Sequence, residues 1–336
     1  MWHASWLRHG WSALLAMSVL VVSALTAASA AAQTPWGADY FPNVPLKTQD
    51  GKTVRFYDDL LKDKTVAINL VYSSCNNVCP LETAKLVQVQ KIFGEKMGRD
   101  IHFYSIAIDP WDTPQELKAY AKRFGVGPGW LFLSGKDEDI RLLARKLGLS
   151  RATDPETRDG HTATLMVGNV ATGQWMRQSA IDNPQFLATS IGNFLGWTRG
   201  PAAPAIDYAR ARPVLQGRGE ILFQSRCAAC HTVGHGDRLG PDLRGVTARR
   251  DKRWLTRYIT EPDKVLAEGD LVAQRLFRQY NQIRMPNLGL GGEDVAALLG
   301  YLDFESQASS AFSGHEALTT GHKDSVTSQA TTRGGF

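Results

Sequence analysis

The chain has 336 residues, too many for one small domain at about 150 residues each, and two domains fit once the ends are set aside. Its formal net charge of +5 is modest, and no dense Lys/Arg tract interleaved with aromatics occurs, so nucleic acid is excluded as a leading partner. Four cysteines fall into two pairs, Cys75 with Cys79 and Cys227 with Cys230, one pair for each domain.

In chain order, residues 1–32 carry Arg8 and His9, an apolar stretch from Trp11 to Leu25, and the small-residue run Ala28 to Ala32. That is the layout of a secretory signal with an A-x-A cleavage site, or of an anchor if it stays uncleaved. Either way the remainder is expected outside the cytoplasm, in the periplasm, and at a membrane only through an uncleaved segment.

Residues 35–198 then alternate strand and helix patterns. Thr65 to Tyr72 is a nearly continuous apolar run, as in a strand buried on both faces. Leu81 to Met97 has helical spacing, and Ile101 to Ile108 is a second strand. Asp109 to Glu116 is a turn leading into a helix that reaches Phe124, with Thr113 as N-cap, Pro114 at the first helical position and Glu116 completing a capping box. A strand at Trp130 to Leu133, a helix at Glu138 to Leu147, strands at Thr162 to Val167 and Gln174 to Arg177, and a helix from Pro184 to Phe194 follow. This order describes a layered α/β domain with a partly parallel sheet. The Pro/Ala/Gly stretch within residues 199–211 reads as a linker. Residues 212–306 read as helices and loops without a strand pair, and residues 307–336 as a disordered tail.

In the second domain Cys227-Ala-Ala-Cys230-His231 is the C-x-x-C-H pattern that fixes a c-type haem, both thiols adding to vinyl groups and the adjacent imidazole reaching the iron. Zinc binding or a redox disulfide are the rival readings of these cysteines. The helical lead-in Gly219 to Phe223, Gly240-Pro241, Arg284-Met285-Pro286-Asn287 and a final amphipathic helix from Asp294 to Leu302 complete an arrangement that resembles an all-α class I cytochrome c. The resemblance implies one covalent haem c, with His231 and Met285 as axial ligands and the Pro241 carbonyl accepting from the other ring nitrogen of His231. Met285 is the only methionine after Met176, while His235 stands too close to His231 to reach the opposite haem face. A thioether ligand suits electron transfer. Trp254 and Tyr258, at helical spacing, read as packing against haem or helix, and the cluster Arg249, Arg250, Lys252, Arg253 and Arg257 as a solvated face.

In the first domain Cys75 and Cys79 follow a buried strand and open the next helix, where a helix N-terminus favours thiolate. Their C-x-x-x-C spacing can turn both sulfurs to one side of a first helical turn, and two soft thiolates suit Cu(I). Of the two histidines in this domain, His102 begins a parallel strand at the edge away from the cysteines. His161 precedes a strand that, if antiparallel, starts at the cysteine edge, which makes His161 the third copper ligand. Tyr72-Ser-Ser-Cys75-Asn-Asn-Val-Cys79-Pro-Leu81, Ile108-Asp-Pro-Trp-Asp-Thr-Pro114 and His161 resemble the SCO/SenC family of copper-binding assembly proteins over residues 40 to 197. The family pattern has an acidic residue directly before the histidine, whereas here Gly160 intervenes and Asp159 is one step further.

The resemblance implies a thioredoxin-like fold, copper held by Cys75, Cys79 and His161, and a part in maturing the copper centre of a haem-copper oxidase. Partners would then be the copper-bearing oxidase subunit or its assembly factors, with a cytochrome or respiratory complex exchanging electrons with the haem. The competing function is a thiol-disulfide oxidoreductase in which Cys75 and Cys79 cycle between dithiol and disulfide. A one-electron haem matches the Cu(I)/Cu(II) couple better than a two-electron dithiol, which favours copper.

Overall fold

The computed structural model describes residues 36–150, 163–197 and 216–320, with side chains described as far as Gln307. The signal segment, the linker, His161 and Asp159 lie outside the described residues.

The first domain opens with a hairpin, β1 (Pro45–Thr48) and β2 (Thr53–Arg55), turned at Gly51, whose φ of +81° suits a residue without a side chain. Strands of four and three residues are too short to carry a legible alternation, and the sequence analysis places no element here. A single wide helical turn, Phe56–Leu61, leads to β3 (Thr65–Val71).

The chain continues through α1 (Cys79–Phe93), β4 (His102–Ala107), α2 (Pro114–Phe124), β5 (Trp130–Ser134), α3 (Asp137–Lys146), β6 (Thr164–Asn169), β7 (Gln174–Ser179) and α4 (Pro184–Phe194). The seven strands form one sheet in the order β2-β1-β5-β4-β3-β6-β7. β3, β4 and β5 are parallel, whereas β6 runs antiparallel to β3, and β1 antiparallel to β5. A parallel centre with antiparallel flanks and helices on both faces is the thioredoxin-like arrangement.

Strand alternation divides the core. Val66, Ile68 and Leu70 of β3 face the layer holding Phe56, Ile140 and Leu143. Ala67 and Val71 face the layer formed by α1, α2 and α4, with Leu81, Leu117 and Leu187 among its members.

The start of α1 differs from expectation. α1 begins at Cys79, so Cys75 lies in the preceding loop rather than in the first helical turn. Pro80 sets that start, since proline suits the first helical turn and is refused further in. Upstream, the Cys75 N–H donates to the Tyr72 carbonyl at 3.3 Å and closes a turn.

The second domain is helical, with no strand among its described residues. It comprises α5 (Arg218–Leu222), continuing as one wide turn Phe223–Cys227, then α6 (Val246–Arg249), α7 (Lys252–Thr260), α8 (Pro262–Ala267), α9 (Leu271–Gln279) and α10 (Gly292–Thr320). α10 crosses α5, and Phe223, Leu255, Val295, Leu298, Leu299 and Leu302 make its core. The helix runs to Thr320, past Ser306 where the sequence analysis places the start of a disordered tail. Extending a packed helix adds one hydrogen bond per residue fixed and needs no new nucleus, so a sequence poor in large apolar residues can still continue it. None of the described helices is long and apolar enough to cross a membrane.

Candidate functional site

Two sites emerge, one at the carboxyl edge of the sheet and one inside the helical domain.

The first is built on the loop from Tyr72 to Val78. Its shape is fixed by the turn that follows β4. The Ser73 backbone N–H donates to Asp112 Oδ2 at 2.9 Å, the Ser73 hydroxyl donates to Asp112 Oδ1, and the Ser74 hydroxyl donates to Asp109 Oδ2 at 3.4 Å. Both carboxylates are 5% exposed. The turn is tied down in turn by the Thr113 cap: the Glu116 N–H donates to Thr113 Oγ1, and the Thr113 N–H donates to Glu116 Oε2 at 2.8 Å. Asp109 and Asp112 therefore shape the cysteine loop. Nothing in the local sequence around Asp109 and Asp112 marks this work, because the contact joins segments more than thirty residues apart.

Cys75 and Cys79 meet although only Cys79 is helical. The Cys79 thiol donates a hydrogen bond to the Cys75 sulfur, the main cause that brings Cys75 down to about 6 against the opposing effect of burial. The same bond, with burial and the charge on Cys75, pushes Cys79 up. The expectation of one acidic thiol thus holds through the partner sulfur, where the sequence argument invoked the helix terminus. The Tyr120 hydroxyl donates to the Cys79 carbonyl at 3.3 Å and fixes that end of the pair.

Beneath the pair lies Glu82, one turn along α1 and 1% exposed. Burial pushes its carboxyl up to about 8 even though Asn69 Nδ2 donates to Oε1 at 2.8 Å. The chain of bonds continues from Ser105 Oγ to Asn69 Oδ1 at 2.7 Å and from Trp130 Nε1 to Ser105 Oγ at 2.9 Å, while Glu82 Oε2 has no partner. No sequence signal marked this network.

A soft metal fits the pair: one sulfur is already poised as thiolate and the other needs to lose one proton. Among the described residues no set of three His, Cys, Asp or Glu side chains gathers around a common point. The third ligand named from sequence, His161, lies outside the described residues. β6, which follows it, is antiparallel to β3, and Thr164 stands at the strand end nearest the cysteine loop. His102 pairs with Val66 at the opposite edge, as expected of a histidine with no part in this site.

The second site is a cavity in the helical domain, lined by Cys227, Cys230, His231, Pro241 and Met285. After α5, the wide turn delivers Cys227, and the N–H groups of Cys230 and His231 both bond to the Cys227 carbonyl, at 3.0 and 2.9 Å. His231 Nδ1 lies 2.9 Å from the Pro241 carbonyl and serves as the donor, which leaves Nε2 as the free nitrogen of the ring. Burial lowers the His231 pKa and favours the neutral imidazole that a metal needs. Gly240 lets the chain pass behind the ring, since a Cβ there would sit 2.5 Å from His231 Cε1.

Asp242 secures the following loop. Desolvation opposes its ionisation, but the N–H groups of Gly234, Arg244 and Gly236 outweigh it and hold the carboxyl down at about 2. Trp254 and Tyr258 stack with centroids 4.8 Å apart and line the cavity, consistent with packing. Of the basic cluster, Arg249 and Arg250 reach the cavity while Arg257 pairs with Glu268.

The residues fit a covalently held haem. Cys227 and Cys230 are half-buried and face the cavity, and desolvation pushes both thiols up to about 12. Both cysteines and His231 border one cavity, the placement that two thioether links and an adjacent axial imidazole require.

Residues 38–189 match the model of the SCO1/SenC family, and residues 217–303 that of the cytochrome c family. The SCO1 protein homolog of Bacillus subtilis (strain 168) is 29% identical over 117 residues, 34% of this chain and 59% of that protein. The chain thus spans about six-tenths of the length of this curated relative. Among solved structures, a SCO1/SenC family lipoprotein from Bacillus anthracis str. Ames is 25% identical with a TM-score of 0.40, covering 47% of this chain and 95% of that one. Arabidopsis thaliana ScoI with copper bound is 22% identical with a TM-score of 0.38, covering 46% and 96%. The first domain thus matches the SCO1/SenC family and the second the cytochrome c family.

Proposed function

We propose that this chain is a periplasmic copper-binding protein with one covalently bound haem c, acting in copper delivery to, or redox maturation of, the copper centre of a haem-copper oxidase. The observation that carries this reading is the hydrogen-bonded pair Cys75/Cys79, in which the bond from Cys79 brings the Cys75 thiol down to about 6, in a domain that matches the SCO1/SenC family. Copper is the cargo, taken by Cys75, Cys79 and His161. In the second domain Cys227 and Cys230 hold haem as thioethers, His231 and Met285 ligate its iron, and the Pro241 carbonyl keeps the imidazole in register. Haem so bound supplies or removes one electron, matching the Cu(I)/Cu(II) couple. A cytochrome or respiratory complex is the external redox partner.

The same thiol pair supports a second reading, a thiol-disulfide oxidoreductase, because a low-pKa cysteine bonded to a buried partner thiol is also an attacking and resolving pair. His161→Ala separates the two. It is expected to abolish tight Cu(II) binding, measured by competition against a chelator, while leaving dithiol reduction of a test disulfide intact. Loss of copper together with full oxidase maturation in vivo would sink the copper reading.

A further inference from the structure

The loops that carry the two sulfur sites, far apart in sequence, are hydrogen-bonded to each other in space. The Asn287 backbone N–H donates to the Asn76 carbonyl at 2.7 Å, and Arg284 Nη1 donates to the Asn76 side-chain oxygen at 3.0 Å. Asn76 directly follows Cys75, while Arg284 and Asn287 bracket Met285. From the Cys75 backbone to the Met285 backbone the route is therefore covalent except for one short hydrogen bond. A second bond joins the domains at the other cysteine pair: Gln88 Nε2 of α1 donates at 3.2 Å to the carbonyl of Ala229, which lies between Cys227 and Cys230.

Apolar contact seals the joint. Leu81, two residues past Cys79, lines the cavity beside His231 and Met285. Ala229, Cys230, Ile283 and Leu288 of the second domain pack against the core of the first. The Gln88 bond is part-buried beside this apolar seam, whereas the Arg284–Asn76 bond lies at its exposed rim.

We propose that the cytochrome domain is docked to exchange an electron with copper at Cys75/Cys79 inside one molecule, and that Asn76 is the positioning residue of that exchange. The inference rests on the copper and haem reading above. In the step, one electron leaves ferrous haem and converts Cu(II) at the cysteine pair to Cu(I). No bond forms or breaks and no proton moves. Neither external partner is needed to bring the two centres together, because the loop carrying one copper ligand and the loop carrying one iron ligand are already hydrogen-bonded. Asn76 is itself a ligand of neither metal.

The test uses the full haem-loaded chain. With Cu(II) bound, a sub-stoichiometric pulse of photoreductant is followed by the haem absorbance, and the relaxation between the centres is expected to be first order and unchanged over about a tenfold range of protein concentration. The double variant Asn76→Ala/Gln88→Ala, which removes both side-chain bonds across the joint, is expected to slow it by at least about tenfold, with copper stoichiometry and the methionine-to-iron band unchanged. A relaxation rate that rises with protein concentration, or a double variant as fast as the parent, overturns the inference while leaving copper binding standing. A chain that takes up no copper overturns the functional reading instead. In that event, amide exchange on the metal-free, haem-loaded protein still tests the joint: the Asn287 N–H is expected to be protected, and exchange at the rate of an open loop overturns the docking.

Discussion

Glu82 shows how far a single residue can be from what its letter suggests. A glutamate in the first turn of a helix reads as a favourable charge near the N-terminus, yet this one is 1% exposed and its carboxyl is pushed up to about 8 by burial. With a folded-state pKa above the unfolded value of about 4.3, the carboxyl costs nothing below the lower value and progressively destabilises the fold as pH rises through the window to about 8. Cys75 works in the opposite direction, since its lowered pKa adds stability as pH rises above about 6 towards the unfolded thiol's value of about 8.5. Comparison with Glu82→Gln isolates the carboxylate contribution. In urea unfolding of the reduced, copper-free protein, the variant is expected to gain on the parent by several kcal/mol between about pH 5 and about pH 8. An equal pH dependence in the two proteins would show that Glu82 ionises freely in the fold. The residues that the sequence singles out, Cys75, Cys79 and His231, are those whose chemistry is rare. The role of Glu82 was illegible because burial is decided by neighbours.

At the scale of elements, local rules carried most of the first domain. The Thr113 capping box, the Pro184 start of α4 and the apolar run of β3 each follow from residues a few positions apart, and the structure shows all three. The β1/β2 hairpin did not, because strands of four and three residues hold too little alternation to stand out. In the second domain the decisive local feature is Gly219, where α5 meets α10. A Cβ there would lie 2.1 Å from the Ala297 carbonyl oxygen and 2.8 Å from Tyr301 Cβ. The helices must separate to admit any side chain, so Gly219→Ala is expected to destabilise the cytochrome domain by about 1–3 kcal/mol, seen as a lower unfolding midpoint of the haem absorbance. A midpoint unchanged from the parent would mean that the crossing is looser than the contact distances require.

Across the whole molecule, the first domain supplies part of the wall around the second domain's cavity. Leu81 is 1% exposed, belongs to the core beneath the cysteine loop and also lines the cavity with His231 and Met285. Leu81→Ala is expected to cost about 2–5 kcal/mol in the first domain and, although it lies outside the cytochrome segment, to shift the haem potential by opening its edge to water. Potentiometric titration of the variant checks the second effect; an unshifted potential would separate the wall from the haem environment. The sequence by itself determined the two modules, the two cysteine pairs and the helix caps, and it singled out His231 and Met285 as candidates, because these depend on rare residue types and on spacing within a few positions. Only the tertiary structure decided that Cys79 lowers the pKa of Cys75, that Asp109 and Asp112 shape the cysteine loop, and that Asn76 touches the loop of Met285. Those are contacts between segments distant in the chain, and they form only when the sheet edge and the haem loop have each folded and packed together.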